Sequence, residues 1–230
     1  MVSQGPPQTP AGRARAGLNP RVALALVVIL VIAGGVALLT QGGGGKSAPA
    51  AGVVHTVPSA SFRGAVASPP ALAPALALHN YLGAPVNIAQ YRGKAVLVTF
   101  LYTHCPDVCP LIAANLHVAQ TLMGPAESAK VQIITVSVDP RGDTPKAIAG
   151  FLARHQMTGH MQYLVGSAPE LAKVWSAWNV GSEKDAQQPE LVNHTGLVYG
   201  ISASGKITTL YAANFKPSDI AHDVPLLASE

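Results

Sequence analysis

The chain has 230 residues, of which 49% are hydrophobic and 11% are charged. Charged residues make up about 25% of a typical soluble domain, so this composition predicts that part of the chain lies in a membrane. The net charge is +4, but no cluster of Lys and Arg marks a nucleic-acid-binding surface. Two cysteines, Cys105 and Cys109, are too few for a disulfide framework and indicate one working pair.

The N-terminal part has the pattern of a membrane anchor. Residues 1–21 are rich in Gly, Pro and Arg, and residues 22–40 form an almost unbroken apolar run that is long enough for a transmembrane helix. Arginines precede the run, so the positive-inside rule predicts a cytoplasmic tail at 1–21 and an extracytoplasmic domain. We expect a single-pass protein of a cell membrane, with a bacterial membrane favoured over the mitochondrial inner membrane.

A cleaved signal peptide is the alternative, with Ala48-Pro49-Ala50 as its small-residue cleavage site. The apolar run is longer than the usual 7–15 residues of a signal peptide core, which favours the anchor. A lipoprotein is not expected, because no cysteine follows directly after the run. Residues 41–70 consist mainly of Gly, Ala, Ser and Pro, and we predict a flexible linker that reaches roughly 30 Å.

Residues 71–230 are predicted to form one folded domain in which strands alternate with helices. The apolar run Ala95–Leu101 has the character of a buried strand, and Thr144 or Asp143 is placed to cap a helix that begins with Pro145. In chain order we predict a hairpin over 75–88, strand 95–101, helix 109–122, strand 131–138, helix 145–155, strand 162–164, helix 169–178, hairpin 197–211 and helix 217–227. This order predicts an α/β sheet, and a cysteine pair between a strand and a helix is typical of a thioredoxin-like domain.

The cysteine pair fits two kinds of chemistry. Cys105 is expected at or just before a helix N-terminus, where the helix dipole lowers the pKa of a thiol. Cys109 follows four residues later, and one helical turn would place the two Cα atoms about 6 Å apart. That separation permits a disulfide, and it equally lets both sulfurs bind one ion. The spacing therefore leaves redox and metal chemistry open.

His194 is the candidate for a third ligand. It lies directly before the strand predicted to begin at 197, and in a thioredoxin-like sheet this loop comes back over the cysteine loop. Two thiolates and one imidazole suit Cu(I), and Cu(II) is also compatible, whereas Zn²⁺ usually takes a fourth ligand. His104 is beside Cys105, but adjacent residues do not share a face, so it is not expected to bind the metal.

Several motifs together resemble the Sco/SenC family. They are Gly-Lys-Ala-Val-Leu-Val-Thr-Phe at 93–100, Tyr-Thr-His-Cys-Pro-Asp-Val-Cys-Pro at 102–110, Val-Ser-Val-Asp-Pro at 136–140, Asp-Thr-Pro at 143–145 and His-Thr at 194–195. The resemblance implies a membrane-tethered, thioredoxin-like copper protein that helps assemble the dinuclear copper site of cytochrome c oxidase subunit II. It places Cys105, Cys109 and His194 at the copper-ligand positions. The family usually has Asp before the histidine, and Asn193 stands there in this chain.

The resemblance thus implies a metallochaperone rather than an enzyme, with an upstream copper donor and a thiol reductant as further partners. The alternative is a thiol-disulfide reductase, in which Cys105 attacks a partner disulfide and Cys109 resolves the mixed disulfide. A peroxidase is disfavoured, because peroxiredoxins use a lone activated Cys with a nearby Arg and Thr. Other residues are expected in structural roles: Asp107 at the helix start, Asp139 and Asp143 in a turn or cap, Met123, Met157 and Met161 in the core, and Trp175 and Trp178 in the core or facing a partner.

Overall fold

The computed structural model describes residues 61–184, 192–194 and 196–230. The strands are β1 (Ala65–Leu72), β2 (Ala77–Asn80), β3 (Pro85–Asn87), β4 (Ala95–Leu101), β5 (Val131–Ser137), β6 (Met161–Val165), β7 (Ser182–Lys184), β8 (Val192–His194), β9 (Leu197–Ile201) and β10 (Lys206–Ala212). The helices are a 3-10 turn (Ile88–Tyr91), α1 (Val108–Ser128), α2 (Pro145–Arg154), α3 (Ala168–Ala177) and α4 (Pro217–Ser229). All the predicted strands and helices occur, in the predicted order, and the structure adds three strands that were not predicted, β1, β7 and β8.

Eight strands form one mixed sheet in the order β1-β10-β9-β4-β5-β6-β2-β3. β4, β5 and β6 run parallel to each other, and the flanking strands pair antiparallel. β7 and β8 form a separate two-stranded hairpin, which was not predicted. The carboxyl ends of β4, β5 and β6 lie side by side at one end of the strands, and the cysteine loop leaves from this end.

The centre of the sheet is apolar on both faces. Every residue of β4 is buried, and so are all residues of β5 except one that is half-buried, as expected of parallel strands that are covered on both sides. Phe100 of β4 is 0% exposed, and its ring centroid lies 5.9 Å from Trp178 and 6.1 Å from Tyr199. The last residues of β4 therefore hold a fixed position, and the cysteine loop follows them directly.

α1 begins at Val108, one residue after its N-cap Asp107. Its buried residues are spaced three and four apart, which gives one apolar face: Cys109, Ile112, Ala113, Leu116 and Ala119. The helix extends beyond the predicted end at 122, to Ser128, with a kink at Gly124, where φ is 70°. Burial of this face fixes the first turn of α1, including Cys109.

The predicted linker over 41–70 is wrong at its C-terminal end. Residues 65–70 lie in β1, which pairs antiparallel with β10 and shifts register between Val66 and Ala71. β1 is an edge strand with mostly exposed residues, and an edge strand tolerates the prolines that made this segment look like a linker. The folded domain therefore begins before residue 71.

The predicted tail at 1–21, the apolar run at 22–40 and the linker up to residue 60 lie outside the described residues. Within the residues that the structure does describe, no helix is both long and apolar enough to cross a bilayer. The membrane anchor thus stays a prediction.

Candidate metal centre

The cysteine loop connects the end of β4 to the start of α1. Cys105 lies in this loop and is 7% exposed, and Cys109 lies in the first turn of α1 and is 0% exposed. Both are thiols rather than a disulfide. The backbone N–H of Cys109 donates to Cys105 Sγ over 3.4 Å, and Cys105 Sγ donates to Asp107 Oδ1 over 3.7 Å. The structure thus places Cys105 just before the helix, as predicted, and brings its sulfur to the helix N-terminus.

Burial sets the protonation of the second thiol. The pKa of Cys109 is raised far above that of an ordinary thiol, chiefly because burial removes water from the thiolate, and the neighbouring Cys105 adds to the shift. A backbone hydrogen bond from Tyr102 acts in the opposite direction. Cys109 is therefore a neutral thiol in the metal-free protein, and it must lose its proton when a metal ion binds or a disulfide forms.

Of the two predicted candidates for the cap of α2, Thr144 is the cap and Asp143 is not. Thr144 caps α2, because its hydroxyl accepts the Ala147 N–H over 3.2 Å. The Asp143 side chain turns inward and is 5% exposed. It accepts hydrogen bonds from the Thr103 N–H at 2.8 Å, the Ser137 hydroxyl at 2.6 Å and the Tyr163 hydroxyl at 3.0 Å. Desolvation by burial raises the pKa of Asp143, and the hydrogen bonds from Ser137 and Thr103 lower it in part.

The other polar residues near the loop are where the sequence predicted them. Asp107 is exposed and its side chain accepts the Val108 N–H, so it acts as a helix-start carboxylate. His104 is exposed, and its Nδ1 lies 3.1 Å from the Thr103 hydroxyl. Asp139 is a turn residue whose carbonyl oxygen accepts the Asp143 N–H over 2.9 Å.

His194 is the last residue of β8, and its backbone pairs with Ser182 of β7. The position of its imidazole ring lies outside the described part of the structure. Among the described side chains, no three His, Cys, Asp or Glu residues gather into a group that could hold a metal ion. The three-ligand set of Cys105, Cys109 and His194 thus stays a prediction, of which the structure brings the two cysteines together.

The sulfur and indole side chains elsewhere belong to the core. Met157 and Met161 are buried, and Met123 is partly buried against the same core. Trp178 is buried, and Trp175 donates its indole N–H to the Ser137 carbonyl oxygen over 3.0 Å. The prediction of a structural role is confirmed for these residues.

A mixed sheet that delivers a dithiol loop from a central parallel strand to a helix N-terminus defines a thioredoxin-like protein. The SCO1/SenC family model matches residues 65–229, and the chain belongs to this family. The predicted resemblance and the predicted thioredoxin-like fold are thereby confirmed.

Relatives and solved structures agree with this assignment. The chain is 33% identical over 128 residues to the mitochondrial SCO2 homolog of Bos taurus, covering 54% of this chain and 47% of that protein. It resembles apo Sco1 from Thermus thermophilus with 28% identity and a TM-score of 0.61, covering 74% of this chain and 96% of that one. It resembles Bradyrhizobium japonicum ScoI, solved with copper bound, with 30% identity and a TM-score of 0.57, covering 68% of this chain and 99% of that one. The chain spans about half the length of the first curated relatives.

Proposed function

We propose that this chain is a copper chaperone that binds one copper ion through Cys105, Cys109 and His194. It delivers the ion to the dinuclear copper site of cytochrome c oxidase subunit II, and it receives the ion from an upstream copper donor. The observation that carries the proposal is the placement of two buried thiols side by side where the cysteine loop meets α1 in a Sco domain. The copper-bound ScoI structure of Bradyrhizobium japonicum supports copper as the ion.

The thiols suit a soft ion that must be passed on. Two thiolates select Cu(I) over hard cations, and a third ligand from the β7–β8 hairpin would complete a three-coordinate set. Cys109 is a neutral thiol before binding, because burial raises its pKa. Copper binding therefore releases its proton, and the apparent affinity is expected to fall as the pH is lowered.

Replacing His194 with alanine is the direct test of the ligand set. The full chain, purified in detergent, is expected to bind one copper(I) ion in competition with a chromogenic chelator. His194→Ala is expected to weaken this binding by more than about tenfold, which corresponds to about 1.4 kcal/mol. The matched control is His104→Ala, because this exposed imidazole lies next to Cys105 and contacts Thr103 instead. Equal affinities for His194→Ala and the natural chain would remove His194 from the site.

We also propose that residues 22–40 anchor the chain in a bacterial cell membrane, with residues 1–21 in the cytoplasm and the domain outside. The support is the apolar run and the arginines that precede it. The full chain is expected to stay in the membrane fraction after an alkaline wash, and a chain that begins at residue 41 is expected to be released. Release of both forms by the wash would exclude the anchor.

A thiol-disulfide reductase is the second candidate, because the Cys109 N–H and the Cys105 sulfur are in contact. The Cys105 thiolate would attack a disulfide of the oxidase subunit and release one partner thiol. Cys109 would then attack the Cys105 sulfur, release the second partner thiol and leave a Cys105–Cys109 disulfide. A separate thiol reductant must return this disulfide to the dithiol. Reduction of an oxidised subunit II peptide by the copper-free full chain would favour this candidate, and activity of the copper-loaded form alone would exclude it.

A further inference from the structure

The Asp143 carboxylate accepts hydrogen bonds from residues in, or directly after, three neighbouring parallel strands. Its donors are Thr103, which follows β4, Ser137, the last residue of β5, and Tyr163 in β6. The Tyr163 hydroxyl also lies 3.2 Å from the carbonyl oxygen of Leu101, the last residue of β4. One side chain therefore links the three central strands close to the point where the cysteine loop leaves β4.

The hydrogen bond to Thr103 is the contact that reaches the site. Thr103 is buried and lies two residues before Cys105, so its N–H fixes the backbone at the start of the cysteine loop. A buried backbone N–H that loses its acceptor is costly, and Asp143 Oδ1 is the acceptor at 2.8 Å. The far end of the loop is fixed separately, because the Cys109 face of α1 is buried. Asp143 thus holds the end that carries Cys105.

The loop that contains Asp143 also lies close to the cysteine loop at a second point. A Cβ on Gly142 would lie 3.2 Å from His104 Nδ1 and 2.2 Å from Asp139 Oδ2. A side chain at position 142 would require the Asp139 carboxylate, and to a smaller extent the His104 ring, to move. The segment 139–143 therefore lies alongside residues 103 and 104 and holds the cysteine loop through the hydrogen bond to Thr103.

We infer that Asp143 is a positioning residue for the two thiols. Its carboxylate acts as a hydrogen-bond acceptor that holds Thr103, and so it keeps the Cys105 sulfur next to Cys109, where the two thiols can bind one copper ion or be oxidised to a disulfide. The inference deepens the proposed function and rests on it for the copper site. Among the described residues, Asp143 forms no ion pair with a Lys, Arg or His, which is consistent with a role as an acceptor.

Two substitutions at this position separate the acceptor from the charge. Asp143→Asn is expected to bind copper(I) within about threefold of the natural chain, because an amide oxygen still accepts from Thr103 and the NH₂ group can donate to the two hydroxyls. Asp143→Ala removes the acceptor and is expected to weaken copper binding by roughly 10- to 100-fold, the usual effect of losing a partner that orients a metal ligand. If Asp143→Ala does not fold, Asp143→Leu fills the space without an acceptor and replaces it.

The second measurement uses no copper. The reduction potential of the Cys105–Cys109 pair is determined in glutathione buffers for the same full-length variants. A less firmly held loop forms the disulfide less readily, so Asp143→Ala is expected to raise the potential by about 30 mV for each tenfold loss in the equilibrium constant. Asp143→Asn is expected to leave the potential close to that of the natural chain.

Asp223→Ala is the matched control. Asp223 is another buried carboxylate, 0% exposed, and it accepts hydrogen bonds from two backbone N–H groups and the Tyr211 hydroxyl, but it lies on α4. It is expected to lower stability and to leave both copper affinity and reduction potential unchanged.

The outcomes separate the inference from the proposed function. Equal losses in Asp143→Asn and Asp143→Ala would assign the effect to charge, and equal losses in Asp143→Ala and Asp223→Ala would assign it to general destabilisation. Either result, or no change in Asp143→Ala, would overturn the inference. If the natural chain binds no copper, the proposed function fails, and the reduction potentials still decide the role of Asp143.

Discussion

Cys105→Ser and Cys109→Ser are each expected to abolish stoichiometric copper binding by the full chain. A serine hydroxyl is a hard ligand that stays protonated at neutral pH, so either substitution leaves one thiolate for a soft ion. The loss should be complete in a competition titration with a copper(I) chelator, whereas His194→Ala should leave weakened binding. The same substitutions remove the dithiol, so neither variant can complete a cycle of disulfide reduction.

Met161→Leu is the control for the cysteine substitutions. It removes another buried sulfur, one that packs in the core on β6, and it conserves volume and apolar character. We expect full copper binding in this variant. Stoichiometric binding by Cys105→Ser or Cys109→Ser would contradict the assignment of that residue as a ligand, and loss of binding in Met161→Leu would show that the titration reports folding instead.

Phe100→Ala is expected to lower the free energy of unfolding by about 3–5 kcal/mol, the usual cost of removing a fully buried phenylalanine. The ring contacts Trp178 and Tyr199 on one face of the central strand, so its loss opens a cavity just before the cysteine loop. Urea unfolding followed by circular dichroism measures the change. A loss below about 1 kcal/mol would show that the site collapses or that the ring is not packed as described.

Leu122→Ala is the matched control for Phe100→Ala. Leu122 lies on α1 and is 59% exposed, so its substitution is expected to change the free energy of unfolding by no more than about 0.5 kcal/mol. A comparable loss in both variants would mean that burial does not account for the effect of Phe100.

The central strands were predictable because their sequences leave few alternatives. Residues 95–101 and 131–137 are β-type runs with turn residues before or after them, and such runs form strands that are buried on both faces. The placement of Cys105 before a helix follows from these strands, because the apolar spacing of α1 begins directly after the cysteine loop. The position of Cys105 directly before α1 could therefore be predicted from the local sequence.

Three strands, β1 and the pair β7 and β8, were missed for a different reason. β1 contains prolines and mostly exposed residues, and only its pairing with β10 makes it a strand. β7 is the polar tripeptide Ser-Glu-Lys, which has no apolar alternation and pairs only with β8. In both cases the partner strand, which is distant along the chain for β1, supplies what the local sequence lacks.

Asp143 was missed because its residue type and neighbours indicate a turn. The segment Asp-Pro-Arg-Gly-Asp-Thr-Pro at 139–145 is rich in turn formers, and nothing in it predicts a buried carboxylate. The burial arises because Thr103, Ser137 and Tyr163 come together from three strands. The sequence did contain one signal for a buried acceptor: Thr103 just after β4 and Ser137 at the end of β5 place polar residues side by side at the ends of two parallel strands.

The hydrogen bonds between residues 63–64, just before β1, and Asp223 of α4 have a mechanical consequence. Asp223 holds the backbone N–H groups of Arg63 and Gly64 at 2.8–3.0 Å, and β1 then runs along β10. A force that pulls on the chain from its N-terminal side would be resisted first by the hydrogen bonds of Asp223 and by the hydrogen bonds between β1 and β10, which would be loaded in shear. The load would enter the fold through α4 and through β1 at the outer edge of the sheet.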